Sequence, residues 1–168
     1  MRQIPATARE NLERPNAPDA VLAFLTIEHP NLVEPIRVVS DVLNYSWQGE
    51  IWIGLPFGFR LVTDDDAPPT TVLRVQNVDR KLGAALRTLP GRASCRVDVL
   101  SSADFDLTVV PRVPLGEVTP IYGLQHFELV DVTVTAIEVS GTLMLRDYSQ
   151  EPWPGISATQ SRCPGLFR

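Results

Sequence analysis

The segment that most constrains the fold is residues 55–89, in which two strand patterns and one helix pattern follow each other directly. The aromatic and apolar residues at 57, 59 and 61 alternate with Gly58, Arg60 and Val62, as in a strand with one buried face. The first set is Phe57, Phe59 and Leu61. Aspartates and prolines at 64–69 then interrupt the chain, because Asp bonds its own backbone in turns and Pro donates no ladder hydrogen bond. This order predicts a strand that ends in an acidic turn.

The period of the pattern changes after the next strand. Residues 72–77 alternate as a second strand, and Asn77 or Asp79 can then cap the free amides of a helix that Pro90 ends. Apolar residues recur on one stripe of this helix, at Val78, Leu82, Ala85, Leu86 and Leu89. We therefore predict one helix in the middle of the chain.

Strand patterns dominate the remaining sequence. We predict strands over residues 21–28, 36–39, 94–100, 129–139 and 142–146. Gln48-Gly49 predicts a hairpin turn, because glycine takes a positive φ at no steric cost. Gly141 is predicted to mark a bulge or turn between the last two strands. Residues 6–10 are polar and predict a short N-terminal helix.

The strand count indicates a mainly β fold. About eight antiparallel strands and one packed central helix are typical of a β-sandwich or β-barrel with a helix against it. In the strand at 94–100, Cys95, Val97 and Val99 are predicted to point inward, and Ser94, Arg96 and Asp98 outward. Residues 1–146 are predicted to form this domain, and residues 147–168 an extended C-terminal arm.

The predicted arm differs in character from the domain. Its prolines and glycines disfavour a regular strand or helix, yet it carries apolar side chains that are costly to leave in water. The candidate interface residues are Trp153, Ile156, Pro164, Leu166 and Phe167. Two interpretations stay open: the arm wraps over its own core, or it docks on a neighbouring subunit.

Composition argues against several classes of partner. The net charge of -5 and the absence of a basic cluster argue against nucleic-acid binding. No apolar run approaches the roughly 20 residues needed to span a bilayer, and the first residues do not read as a secretory leader. We therefore expect no membrane insertion, and a location in the cytoplasm where the chain is made or in an assembled particle.

Catalytic and metal-binding patterns are sparse. His29 stands between Glu28 and Pro30 at a strand end and His126 beside Phe127, and each is typical of a surface or satisfied core histidine. Cys95 and Cys163 lack the close partners of a zinc site. Prolines follow the aspartates at 64–66 where a calcium loop would continue with glycine. We expect no enzyme activity, no metal and no cofactor.

Seven short stretches together resemble a known family. They read FLTIEHP at 24–30, IRVVSD at 36–41, LPFGFRL at 55–61, DDAPP at 65–69, VQNVDR at 75–80, ALR at 85–87 and PGLF at 164–167. In this order they are similar to a domain-of-unknown-function family encoded in the tail modules of long-tailed, non-contractile bacteriophages and prophages, near the tape-measure and tail-tip genes. The resemblance implies a minor tail protein at the tail tip, with the sheet-and-helix architecture of tail-tube and distal-tail proteins.

The expected function follows from this resemblance. The chain is expected to be a structural virion protein of the distal tail, assembling into a homo-oligomeric ring through sheet edges and the C-terminal arm. Its expected partners are copies of itself and the tube, tape-measure and tip or hub proteins. Two alternatives stay open: a tail-assembly factor that is absent from the mature virion, and a cell-wall hydrolase at the tip.

Overall fold

The computed structural model describes residues 4, 6–58, 70–76, 91–145 and 159–166. These residues form one α-helix, α1 (Ala6–Glu13), two short 3-10 helices (Ser102–Asp104 and Pro164–Leu166) and eleven strands, so the expectation of a mainly β fold is confirmed. The strands are β1 (Val21–Glu28), β2 (Ile36–Val39), β3 (Tyr45–Trp47), β4 (Glu50–Gly54), β5 (Phe57–Gly58), β6 (Thr70–Gln76), β7 (Ala93–Ser101), β8 (Phe105–Asp106), β9 (Val113–Pro114), β10 (Tyr122–Val134) and β11 (Glu138–Leu145).

Nine strands form one mixed sheet, in the order β3-β4-β2-β1-β7-β10-β11-β6-β5, and β8 pairs with β9 separately. The pairs are antiparallel with one exception, since β2 and β4 run parallel through Val38 opposite Ile53. The prediction of a wholly antiparallel arrangement is wrong here. The β3–β4 hairpin presents its second strand to β2, and that strand runs in the same direction as β2.

Both faces of the sheet carry buried side chains. Leu25 and Ile27 of β1 point into a large cluster with side chains of β2, β6, β7, β10 and β11. Leu22 and Phe24 point to the opposite face, where they join Val39, Leu100 and four aromatic side chains of β3, β4 and β8. β1 is thus buried on both faces, which confirms its predicted central position.

Several local predictions are confirmed. The chain forms α1, β1 and β2 where they were expected, and Cys95 is buried. The β3–β4 hairpin turns at Gln48 and Gly49, whose φ angles of 55° and 79° are those of a primed two-residue turn. The predicted helix over 78–89 and the strand residues 59–61 lie outside the described residues.

The predicted strand over 129–139 is confirmed for residues 129–134 but is not continuous. β10 ends at Val134, a turn follows in which Thr135 Oγ1 accepts from the Glu138 amide, and β11 begins at Glu138. Gly141 pairs regularly with Leu73 of β6, but on its other side it lies opposite the register shift of β10 between Val130 and Thr133. The predicted bulge is therefore present at this position, with its extra residue in β10. The irregularities lie in β10 itself, at register shifts before Phe127 and before Thr133.

The two register shifts explain why alternation misled the analysis of β10. His126 and Asp131 take positive φ angles of 65° and 52° at these places, which adds a residue to β10 relative to its neighbour. The side-chain alternation therefore changes phase within the strand, and Val132 is exposed although it shares the sequence period of Val130.

Asp98 was predicted to point outward, and the solvent exposure that this direction implies is wrong. Its side chain is only 3% exposed, with Arg96 Nε at 2.6 Å from its carboxylate. Burial raises the pKa of Asp98, and the neighbouring Arg96 guanidinium partly opposes that rise. Asp98 does lie on the opposite face from Val97, as predicted, but that face is also covered, because Phe24 and Leu100 pack there.

Candidate functional site

The most unusual surface feature is an apolar loop at residues 107–115, called here the apolar loop. Leu107, Val109, Val110, Val113 and Leu115 are all exposed, with Val110 at 66% and Leu115 at 69%. They fall within nine consecutive residues, and grouped exposed apolar side chains are typical of an interaction surface, whereas single scattered ones are ordinary. The loop therefore has the character of a protein-binding surface.

Arg112 is the only charged residue in the apolar loop, and its side chain is turned towards the protein. The guanidinium donates hydrogen bonds to the Asp41 carboxylate and the Tyr45 hydroxyl, and lies 5.3 Å from the centre of the Tyr45 ring. Tyr45 itself donates to Asp41 at 2.6 Å. The outer surface of the loop is left uncharged as a result.

Backbone hydrogen bonds also attach this loop to β3. The Ser46 amide donates to the Arg112 carbonyl at 2.8 Å, and the Arg112 amide donates to the Asn44 carbonyl at 2.9 Å. These bonds cover part of the outer edge of β3, which is one end of the nine-stranded sheet. This end of the sheet therefore presents side chains of the loop in place of a bare strand edge.

An aromatic cluster supports the loop from below. Phe24 lies at its centre, with ring centroids 5.0 to 5.7 Å from those of Tyr45, Trp47, Trp52 and Phe105. Burial, and the hydrogen bond to Asp41, raise the pKa of Tyr45 to about 12, so its hydroxyl stays protonated at neutral pH. These densely packed rings fix the position of β3, to which Arg112 is hydrogen-bonded, and of β8, after which the apolar loop begins.

An acidic groove lies next to the apolar loop. Asp19, Asp104 and Glu117 line it together with Ala8 and Asn11 of α1, and its volume is about 190 Å³. The Leu115 amide donates to the Asp104 carbonyl at 2.9 Å, which joins the groove directly to the end of the loop. Among the described residues that line the groove there is no Lys or Arg.

Two further features add to the acceptor character of this region. The amide oxygen of Asn11 is buried and has no hydrogen-bond partner among the described residues, while its nitrogen donates to the Asp19 carbonyl. At the opposite end of the loop, the hydroxyl and amide of Thr108 donate to Asp106 and hold the pKa of that carboxyl below its usual range. The uncharged loop is thus bordered by carboxylates on both sides.

The predicted interface residues lie partly in the described structure. Pro164 and Leu166 form a 3-10 turn at the surface, and Leu166 is 73% exposed. Trp153, Ile156 and Phe167 lie outside the described residues. In the described part of the arm, residues 159–166, every residue is exposed except Cys163, which is half-buried.

The residues with catalytic or metal-binding potential lie apart from this surface. His29 lines a separate open groove with Glu28 and Arg92, and His126 occupies the first register shift of β10. Within the described ranges, no three His, Cys, Asp or Glu side chains form a group that could hold a metal ion. No helix in that part of the chain has the length and apolar character to cross a membrane.

The apolar loop and the acidic groove were not predicted from sequence. The stretch 107–115 does contain one charged residue among many apolar ones, without the period of a helix or strand. That mismatch between apolar content and periodicity was the available indication of an exposed binding loop. The groove brings Asp19, Asp104 and Glu117 together from distant positions, and only the fold reveals it.

Comparison with known proteins identifies the family of this chain. No curated protein sequence matches the chain. Residues 7–157 match the model of a family described as a domain of unknown function, DUF1833. This match includes α1 from its second residue onward and all the strands that build the surface described above. The chain belongs to the DUF1833 family.

Proposed function

We propose that this protein is a structural component of the distal tail of a long-tailed, non-contractile bacteriophage, where copies assemble into a ring at the tail tip. The proposal starts from the sequence resemblance to tail-module proteins over stretches spread along the chain. A mainly β domain with a large sheet is compatible with the architecture of tail-tube and distal-tail proteins, although fold alone does not define function.

The observation that carries the proposal is the apolar loop. A solvated loop with five exposed large apolar side chains is unfavourable unless a partner covers it. Its attachment through Arg112 means that little ordering entropy is lost on docking. A surface that is both apolar and preorganised is what assembly by shape and burial requires.

The proposed ring uses this loop together with the C-terminal arm, and its further partners are the tube, tape-measure and tip proteins. Because Arg112 covers part of the outer edge of β3, association at this end of the sheet depends more on the burial of side chains than on backbone hydrogen bonds between strands. The protein works in the virion and is made in the host cytoplasm.

The test introduces variants of this protein's gene into the phage or prophage that encodes it. Val110→Asp should prevent tail completion, because it places a charge in the buried interface. Val33→Asp is the matched control, since Val33 is 100% exposed and lies outside the loop. Electron microscopy of lysates and counts of infectious particles give the readout. Equal yields of complete tails from both variants would contradict the proposal.

Mass spectrometry of purified virions separates this function from its main alternative. A structural tail protein is recovered from washed particles in a fixed ratio to the tape-measure protein. A tail-assembly factor is required for particle formation but is missing from the particles. Zymography on the purified protein tests the remaining alternative, a cell-wall hydrolase.

A further inference from the structure

We propose that the acidic groove and the apolar loop together are the docking site for residues 159–168 of a second copy of this chain. This inference rests on the proposed ring and specifies the contact that closes it. The guanidinium of Arg162 enters the groove between Asp104 and Glu117, and Leu166 packs on the apolar loop.

Charge complementarity identifies the occupant. The groove presents three carboxylates, and no Lys or Arg is among the described residues that line it. The segment 159–168 reads TQSRCPGLFR, with two arginines and no acidic residue. Arg offers five donors in a fixed fork, which suits two carboxylates at once.

Apolar complementarity points to the same segment. Leu166 is 73% exposed on its own chain and is followed by Phe167 in the sequence. The apolar loop presents uncharged side chains directly beside the groove, because Leu115 is joined to Asp104 by a backbone hydrogen bond. A segment that carries arginine and leucine four positions apart can therefore contact both parts of the surface at once.

The described conformation favours docking between copies. Hydrogen bonds within the segment, from the Arg162 and Cys163 amides to the Thr159 carbonyl and from the Leu166 amide to the Cys163 carbonyl, form a compact turn. Arg162, Pro164 and Leu166 remain exposed on that turn. The segment is thus presented to solvent with its basic and apolar groups available to a neighbour.

The first test measures binding of a labelled synthetic peptide of residues 159–168, carrying Cys163→Ser, to the full-length protein by fluorescence anisotropy. We expect saturable binding that weakens at high salt, since ion pairs contribute. The double variant Asp104→Lys, Glu117→Lys should bind at least tenfold more weakly. Arg9→Glu, on the exposed face of α1, is the control and should bind as the wild type does. Undetectable binding, or equal binding to the groove variant, would overturn the inference.

The second test exchanges the charges between two full-length chains. Arg162→Glu and the groove double variant should each fail to form the ring, and a mixture of the two should restore it, because each arm then meets a groove of opposite charge. Light scattering after size-exclusion chromatography measures the assembly. Restoration also shows that both variants are folded.

The outcomes distinguish the two proposals. If Arg162→Glu assembles as the wild type does, the docking inference fails while the structural function stands. If mixing restores nothing, docking between copies is refuted. If the chain is absent from washed virions but still binds the peptide through the groove, the proposed function fails and the contact survives as a property of the isolated protein.

Discussion

Replacing Arg112 with methionine tests how the apolar loop is held. The substitution removes the guanidinium that bonds Asp41 and Tyr45 but keeps a long side chain at the same place. The backbone hydrogen bonds of residue 112 with Asn44 and Ser46 are retained. The variant therefore isolates the contribution of the ion pair and its hydrogen bonds.

The expected cost follows from the exposure of the pair. The side chains of Arg112 and Asp41 are 18% and 23% exposed, between a surface pair and a buried one. Exposed pairs contribute about 0–1 kcal/mol, and breaking a buried pair costs about 3–5 kcal/mol, so we expect a loss of about 2 kcal/mol in the free energy of unfolding. For a chain of this size, that lowers the Tm by about 4–8 °C.

Urea unfolding followed by tryptophan fluorescence gives the measurement, since Trp47 and Trp52 lie in the cluster under the loop. Arg9→Met is the control, because its ion pair with Glu13 is largely exposed and should contribute less than about 0.5 kcal/mol. Combining Arg112→Met with Asp41→Asn should give less than the sum of the single losses. A loss for Arg112→Met as small as that of the control, or strict additivity, would refute the attachment described above.

Three further predictions concern the core. Burial raises the pKa of Cys95 from 9.0 to about 12, so the thiol loses its proton at lower pH in the unfolded chain than in the native one. The free energy of unfolding should therefore fall as pH rises from 9 to 12. Cys95→Ala should reduce that fall in thermal melts, and an unchanged dependence of Tm on pH would contradict the prediction. Because the pKa of Asp98 is raised in the native state, its charge disfavours that state once pH exceeds the pKa of the unfolded chain. Asp98→Asn should therefore raise the Tm at pH 7. A lower Tm would show that the contact with Arg96 outweighs the desolvation of the carboxylate. Gly54→Ala should prevent folding, because its Cβ would lie 2.5 Å from the Leu43 carbonyl oxygen. Gly58→Ala is the control, since a Cβ there meets no atom within 4 Å, and this variant should melt as the wild type does. Circular dichroism measures both, and a folded Gly54→Ala protein would refute the close approach.

Sequence patterns predicted the parts of the fold in which local and tertiary preferences agree. β1 is apolar on both faces and lies in the centre, and the Gln48-Gly49 turn has the conformation that its residues favour. β10 was misread because its two register shifts depend on residues with positive φ that are not glycine, His126 and Asp131. Periodicity carries no information on such positions.

The candidate site was harder to predict than the fold. The inward turn of Arg112 depends on Asp41 and Tyr45, which are far away in the sequence and reach it through the β3 attachment. Leu166 was identified from sequence as a candidate contact because an apolar residue among prolines and glycines has no regular element in which to be buried.

The position of β1 has a consequence for how the chain acquires its structure during synthesis. β1 can pair with β2 early, but its other neighbour, β7, begins only at Ala93, and β6 must wait for β11 at the far end of the domain. Contacts between distant parts of a chain make folding slow. Until β7 emerges from the ribosome, the sequence VLAFLTIE is open to aggregation on its unpaired side. The yield of folded protein therefore depends on how long β1 stays unpaired, as well as on the stability of the finished fold.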